Sequence, residues 1–113
     1  MVKRLTAARV RDAAPLFAAL GDPTRLSLVA RLSSDGPESI AGLSESAEVS
    51  RQAVTKHLHV LEDAGLARCF RRGRERIWEL EPDRLDDAHE HLERIGAQWD
   101  AALSRLKAFV EED

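Results

Sequence analysis

The stretch that decides the fold runs from Ser50 to Gly65 and reads SRQAVTKHLHVLEDAG. Its apolar residues recur every three or four positions, so on a helix they share one face: Ala53, Val54, Leu58 and Leu61. Ser50 is a common N-cap residue, and Gly65 is the common left-handed residue after a helix. The sequence therefore predicts an amphipathic helix with both ends marked.

The opposite face of this helix is polar. It presents side chains that can bond to base edges and phosphates, namely Arg51, Gln52, Thr55, Lys56 and His59. An ordinary solvated face is the plain alternative, but it does not explain why the acids Glu62 and Asp63 are confined to the last turn. The pattern favours a DNA recognition helix. His57 lies between the two faces, where it can pack against a neighbouring helix or reach a base.

Charge is distributed unevenly along the 113 residues, whose formal net charge is −3. Residues 50–76 hold seven basic and three acidic side chains, a net +4, whereas residues 77–113 hold four and eleven, a net −7. Local positive charge matters more for nucleic-acid binding than the overall balance. This distribution indicates a basic surface at the recognition helix and the segment after it.

The composition also limits the classes of protein to consider. The length supports one domain spanning residues 1–113. No apolar run suits a secretory signal or a membrane span, and Cys69 is the single cysteine, so we expect a cytoplasmic protein without an internal disulfide. No catalytic motif or phosphate loop is present. We therefore expect neither an enzyme nor a cofactor.

Short elements flank the recognition helix on both sides. Ser39 is expected to cap a helix from Ile40 to about Ala47, and a three-residue break then makes residues 39–65 a helix-turn-helix. Two strands, Leu66–Phe70 and Arg76–Leu80, enclose an arginine-rich tip and form a hairpin wing over residues 66–81. The predicted fold class is mainly α with a small β-hairpin, a winged helix-turn-helix of about five helices.

Both ends of the chain are predicted to be helical, and the last helix is predicted to form a dimer interface. A first helix spans Ala7–Leu20, and Asp22 caps a second that begins at Pro23. Residues 82–110 carry an apolar stripe on a helix roughly 40 Å long, which is longer than so small a core needs. We predict dimerisation through residues 82–113, with contacts from Leu92, Ile95, Trp99 and Leu106.

Two motifs make the chain resemble the ArsR/SmtB family of bacterial winged-helix repressors. Residues 20–25, LGDPTR, are similar to the family's opening signature, and residues 50–58 with 61–66 are similar to its recognition helix. The resemblance covers nearly the whole chain. It implies a homodimer joined through the first and last helices, residues 1–20 and 82–113, with Phe17 in the interface. It also implies that the dimer binds an inverted repeat of double-stranded DNA near a promoter and releases it when an effector, such as a small molecule, arrives.

Specific roles follow for the recognition helix and the wing. Gln52, Thr55 and Lys56, with Arg51 and His57, are expected to read the major groove, because amide and ammonium groups match adenine and guanine edges. Phosphates are expected to be held by Ser50, His59, Arg72 and Arg74.

Metal or redox sensing and a role without DNA are the alternatives. The cysteine motif of the family's metal sensors is replaced by residues 39–43, SIAGL, so no metal site is predicted there. Asp87 and His89 match only the start of the family's second metal site, and a solvated acidic helix face explains them better. Cys69 is either a redox sensor or a small buried residue. The alternative without DNA is a dimeric module that uses the winged-helix fold to dock a protein partner.

Overall fold

The computed structural model describes residues 6–111, and five helices and three short strands follow one another in that range. The helices are α1 Ala7–Leu20, α2 Pro23–Asp35, α3 Ile40–Glu45, α4 Arg51–Asp63 and α5 Pro82–Glu111; the strands are β1 Glu38–Ser39, β2 Ala67–Arg72 and β3 Glu75–Leu80. The predicted winged helix-turn-helix is confirmed. Residues 1–5 and 112–113, part of the predicted dimerisation segments, lie outside the described residues.

Side-chain caps begin the helices where the sequence predicted them. The Oδ2 of Asp22 accepts the backbone N–H of Arg25 at 3.0 Å, and the Oγ of Ser50 accepts that of Ala53 at 3.1 Å. Gly65 has a φ of +78° directly after α4, as the sequence indicated. α1 begins at Ala7 as predicted, with Thr6 as its cap and Pro15 inside the helix.

The helix-turn-helix differs from its prediction at the turn and at its edge. α3 ends at Glu45 rather than near Ala47, so residues 46–50 separate it from α4. The unpredicted strand β1 pairs with β3, which makes the sheet three-stranded in the order β1-β3-β2. A two-residue strand has too little alternation to leave a signal in the sequence.

The core lies between α4, the start of α5 and the central strand β3. Its fully buried side chains include Val54, Leu58 and Leu61 on α4, with Leu16 of α1 and Trp78 of β3. Burial of this apolar face holds α4 against the domain and leaves its polar face outward. The core therefore determines which face of α4 is turned outward.

The last helix extends beyond this core. The radius of gyration is 18.5 Å, against about 13 Å for a compact domain of this length. Ala88 is buried, yet the apolar residues that continue the same stripe, such as Leu92 and Trp99, are exposed. No helix within residues 6–111 has the length and apolar character needed to cross a membrane.

Candidate nucleic-acid interface

The outward face of α4 brings together most of the predicted DNA-contacting side chains. Arg51, Gln52 and Lys56 are exposed, and Thr55 is half-buried beside them. Within residues 6–111, the side chains of Gln52 and Lys56 have no hydrogen bond or ion pair to protein, so their donors are available to a ligand. Thr55 donates its hydroxyl proton to the carbonyl of Arg51 at 2.9 Å, which leaves its oxygen as an acceptor and its methyl as an apolar contact.

The hydroxyl of Ser50 uses only part of its hydrogen-bonding capacity within the protein. Its oxygen accepts the Ala53 N–H as the N-cap of α4, while its proton remains free to donate to a phosphate. The position at the start of α4 also adds the positive end of the helix dipole. This arrangement suits the predicted phosphate contact.

His57 lies on the side of α4 that faces the start of α2. Its Nδ1 is 3.1 Å from Nη1 of Arg25, and its side chain is only 23% exposed. The sequence left open whether this residue packs or reaches a base. In the structure Nδ1 is engaged by the protein, so any contact with DNA would have to use Nε2.

His59 lies on the opposite side of α4, next to the sheet. Its Nδ1 is 3.1 Å from Oε1 of Glu62, and its ring meets Trp78 edge-on at 5.5 Å between centroids. The imidazole remains more than half exposed. His59 is thus held at the junction of α4 and the sheet, where a backbone phosphate could approach it.

The wing places arginines beyond the end of α4. Arg72 stacks over the ring of Phe70 at 5.7 Å, and Arg74 follows Gly73, whose φ of +64° makes the tight turn between β2 and β3. Arg68 is less available, because it donates to Glu79 at 2.7 Å and to Glu81. The hydrogen bond to Glu79 raises the pKa of Arg68 above its usual value.

A cleft of about 410 Å³ separates α4 from the wing. Its basic side chains come from both walls: Arg51 on α4, and Arg74 and Arg76 on the wing. Thr55 and Ser39 add hydroxyl groups to the lining, and Glu75 is its one acid. The prediction omitted Arg76, although its place in the +4 segment was a signal that could have identified it.

The predicted dimer-contact residues divide into two groups. Phe17 is half-buried and its ring lies 5.5 Å from that of His91, so it already packs within the chain. The other four are exposed along α5: Leu92 by 54%, Ile95 by 44%, Trp99 by 65% and Leu106 by 59%. Large apolar side chains in such a row are typical of a surface that another protein covers.

The structure does not assemble a metal site from the residues it describes. Asp87 pairs with Arg84 at 3.1 Å, and His89 pairs with Glu93 at 2.9 Å, so the two candidates have separate partners. Cys69 is half-buried on β2 and packs against the core, with Nη1 of Arg76 3.8 Å from its Sγ. A second thiol to form a disulfide within the chain does not exist.

Known proteins are similar to this chain in sequence and in fold. A family model described as a helix-turn-helix domain matches residues 20–69. The HTH-type transcriptional regulator Rv2034 of Mycobacterium tuberculosis is 34% identical over 95 residues, which cover 84% of this chain and 85% of that protein. An ArsR-like transcriptional regulator from Rhodococcus sp. RHA1 superimposes with a TM-score of 0.75 at 35% identity, over 91% of this chain and 96% of that one.

The chain belongs to the ArsR family of winged helix-turn-helix transcriptional regulators. It is therefore a DNA-binding regulator of transcription, and its relatives are regulators rather than enzymes. The fold is also shared with Mb0332 from Mycobacterium bovis, a homodimeric winged helix-turn-helix DNA-binding domain solved by NMR, at a TM-score of 0.64 and 20% identity over 87% of this chain and 91% of that one.

Proposed function

We propose that this ArsR-family regulator is a homodimeric repressor that binds an inverted-repeat operator near a promoter and is released by a non-metal effector. The observation that carries the proposal is the face of α4, where Gln52 and Lys56 stand exposed with uncommitted donors beside an arginine-lined cleft. Gln52 is suited to adenine and Lys56 to guanine in the major groove. Arg51, Thr55 and the free Nε2 of His57 complete the base-reading set.

Contacts to the DNA backbone surround this base-reading surface. Ser50 and His59 hold phosphates at the two flanks of α4, and Arg72 and Arg74 hold them at the wing. We extend the set to Arg76, because it shares the cleft with Arg51 and Arg74. A phosphate within that cleft would be approached from three sides by guanidinium groups, which match phosphate geometry.

The dimer is proposed to form through α1 and α5 of a single 113-residue domain. The exposed row from Leu92 to Leu106 supports this arrangement, since burying it against a second copy removes apolar surface from water. The homodimeric state of the Mycobacterium bovis domain supports it by analogy. Two α4 helices related by a two-fold axis would then reach half-sites about one turn of DNA apart, roughly 34 Å.

Two substitutions test the division between base and backbone contacts. Gln52→Ala should relax preference at one base pair of each half-site and cost about 1–3 kcal/mol there, whereas Arg72→Ala should weaken binding to all sequences alike. The measurement is fluorescence anisotropy with the DNA upstream of the protein's own coding sequence and with single-base variants. Glu93→Ala is a control, because Glu93 is exposed on α5, far along the chain from α4.

Salt dependence separates this function from docking of a protein partner. Affinity for DNA should fall steeply from 50 to 200 mM salt, as counterions are released, and Arg72→Ala should reduce the slope by about one. Sequence-blind losses of equal size from Gln52→Ala and Arg72→Ala would refute the assignment of roles. An affinity that changes with neither salt concentration nor DNA sequence would refute sequence-specific DNA binding altogether.

A further inference from the structure

Arg25 connects three helices through separate donors. Its Nε–H donates to the carbonyl of Ala19 in the last turn of α1 at 2.6 Å, and its Nη1 lies 3.1 Å from Nδ1 of His57 on α4. Its backbone N–H donates to Asp22, the cap of α2, at 3.0 Å. One residue near the start of α2 therefore links the end of the first helix to the middle of the recognition helix.

The Arg25–His57 contact favours one tautomer of the imidazole. A guanidinium group has N–H donors and no acceptor, so Nδ1 of His57 must accept the hydrogen bond with its lone pair. A neutral ring bonded in this way carries its proton on Nε2. Asp22 does not compete for this role, because its Oδ2 is 3.8 Å from Nδ1 and already accepts the Arg25 backbone N–H.

This contact is the one side-chain hydrogen bond that joins α4 to another helix within residues 6–111. Val54, Leu58 and Leu61 bury the inner face of α4, but apolar packing is not directional and tolerates small rotations more readily than a hydrogen bond does. A half-buried, directional bond on the flank of α4 would restrict such small rotations of the helix about its axis. That rotation decides where Gln52 and Lys56 point.

We propose that Arg25 is a positioning residue for operator recognition. By holding His57 through Nδ1, it sets the rotation of α4 relative to α1 and transmits movement of α1 to the base-reading face. The inference rests on the proposed function, which takes α4 as the reading helix and α1 as part of the dimer interface. It gives a signal at the dimer interface a physical route to the DNA-reading surface.

The first arm of the test needs no DNA. Long-range ¹H–¹⁵N NMR spectra of the labelled protein at pH 8 distinguish the two neutral tautomers of His57. The wild type should show the Nε2–H form, and Arg25→Met should shift the signals toward a mixture of forms. A wild-type spectrum with the proton on Nδ1 would overturn the proposal.

The second arm measures specificity, as the ratio of the Kd for shuffled DNA to the Kd for the DNA upstream of the protein's own coding sequence. Arg25→Met and His57→Leu should each lower this ratio about tenfold, the size expected for loss of one hydrogen bond to a charged group. In a His57→Leu background, Arg25→Met should lower the ratio by less than about threefold, because the partner of its side chain is already absent. If Arg25→Met fails to fold, the tautomer of wild-type His57 still decides the test.

Arg84→Met is the matched control. Arg84 also reaches a carbonyl of α1, that of Asp12 at 3.4 Å, but its other partner is Asp87 on α5 rather than a residue of α4. The control should leave the ratio unchanged even if it lowers the melting temperature. An equal fall in the control, or a full effect of Arg25→Met in the His57→Leu background, would overturn the positioning role alone. A wild type with no preference for the upstream DNA would overturn the proposed function itself.

Discussion

Truncation of one exposed leucine on α5 should weaken the dimer by an amount that its exposure allows us to calculate. Leu92 is 54% exposed, and full burial of a leucine side chain is worth about 1.5–3 kcal/mol, so covering the remaining half contributes about 1 kcal/mol. A two-fold interface counts the residue twice. Leu92→Ala should therefore make the free energy of dimerisation about 2 kcal/mol less favourable. This change raises the dimer dissociation constant roughly thirtyfold.

Leu26 provides a closely matched control for this measurement. It is also 54% exposed and also helical, but it lies on α2, outside the proposed interface. Sedimentation equilibrium over a dilution series should show Leu26→Ala dimerising as the wild type does. Equal weakening in the two variants, or none in Leu92→Ala, would refute the assignment of the α5 row to the interface.

Three further substitutions test separate parts of the structure. Trp99→Asp places a charge in the middle of the proposed interface, so light scattering should show monomers and operator affinity should fall. The backbone N–H of Arg25 holds the pKa of Asp22 below its usual value. The charge of Asp22 therefore stabilises the fold above about pH 4 and loses that effect as pH falls through the lowered pKa, so urea denaturation should show the advantage of wild type over Asp22→Asn shrinking in acid. A Cβ on Gly42 would lie 2.6 Å from a carboxylate oxygen of Glu38, so thermal unfolding should show Gly42→Ala destabilising the wild type but stabilising a Glu38→Ala background by about 0.5–1 kcal/mol, the usual helical advantage of alanine.

The Gly42 prediction follows from a contact that sequence reasoning could not find. In the sequence, Gly42 is a weak helix former inside a short predicted helix. In the structure Arg31 donates to both carboxylate oxygens of Glu38, at 2.9 and 2.6 Å, and to the Gly42 carbonyl at 3.1 Å. The carboxylate lies where the side chain of residue 42 would be. A missing Cβ therefore makes room for an ion pair that joins α2, β1 and α3.

Periodicity and caps predicted the parts of the fold that depend on local chemistry. The predicted caps and the predicted turn were correct, because each depends on residues only a few positions away in the sequence. They are the caps at Asp22, Ser39 and Ser50 and the turn at Gly65. Strand β1 was missed because it exists only through pairing with β3, about 40 residues later. The same reason hid the Arg25–His57 contact, which joins residues 32 positions apart.

The apolar stripe of α5 shows how one helical face can serve two surfaces in succession. Leu85 and Ala88 pack on the core of their own chain, but one turn later the buried residues are His91 and Arg94, while Leu92 and Ile95 turn outward. The stripe itself does not change direction; at these turns the domain covers a different side of α5, the side that carries His91 and Arg94. Beyond that point the row on α5 can be buried only by another molecule, so the residues that complete the monomer core lead directly into those proposed to form the dimer. A displacement of α5 against its own core would then also change the spacing of the two recognition helices.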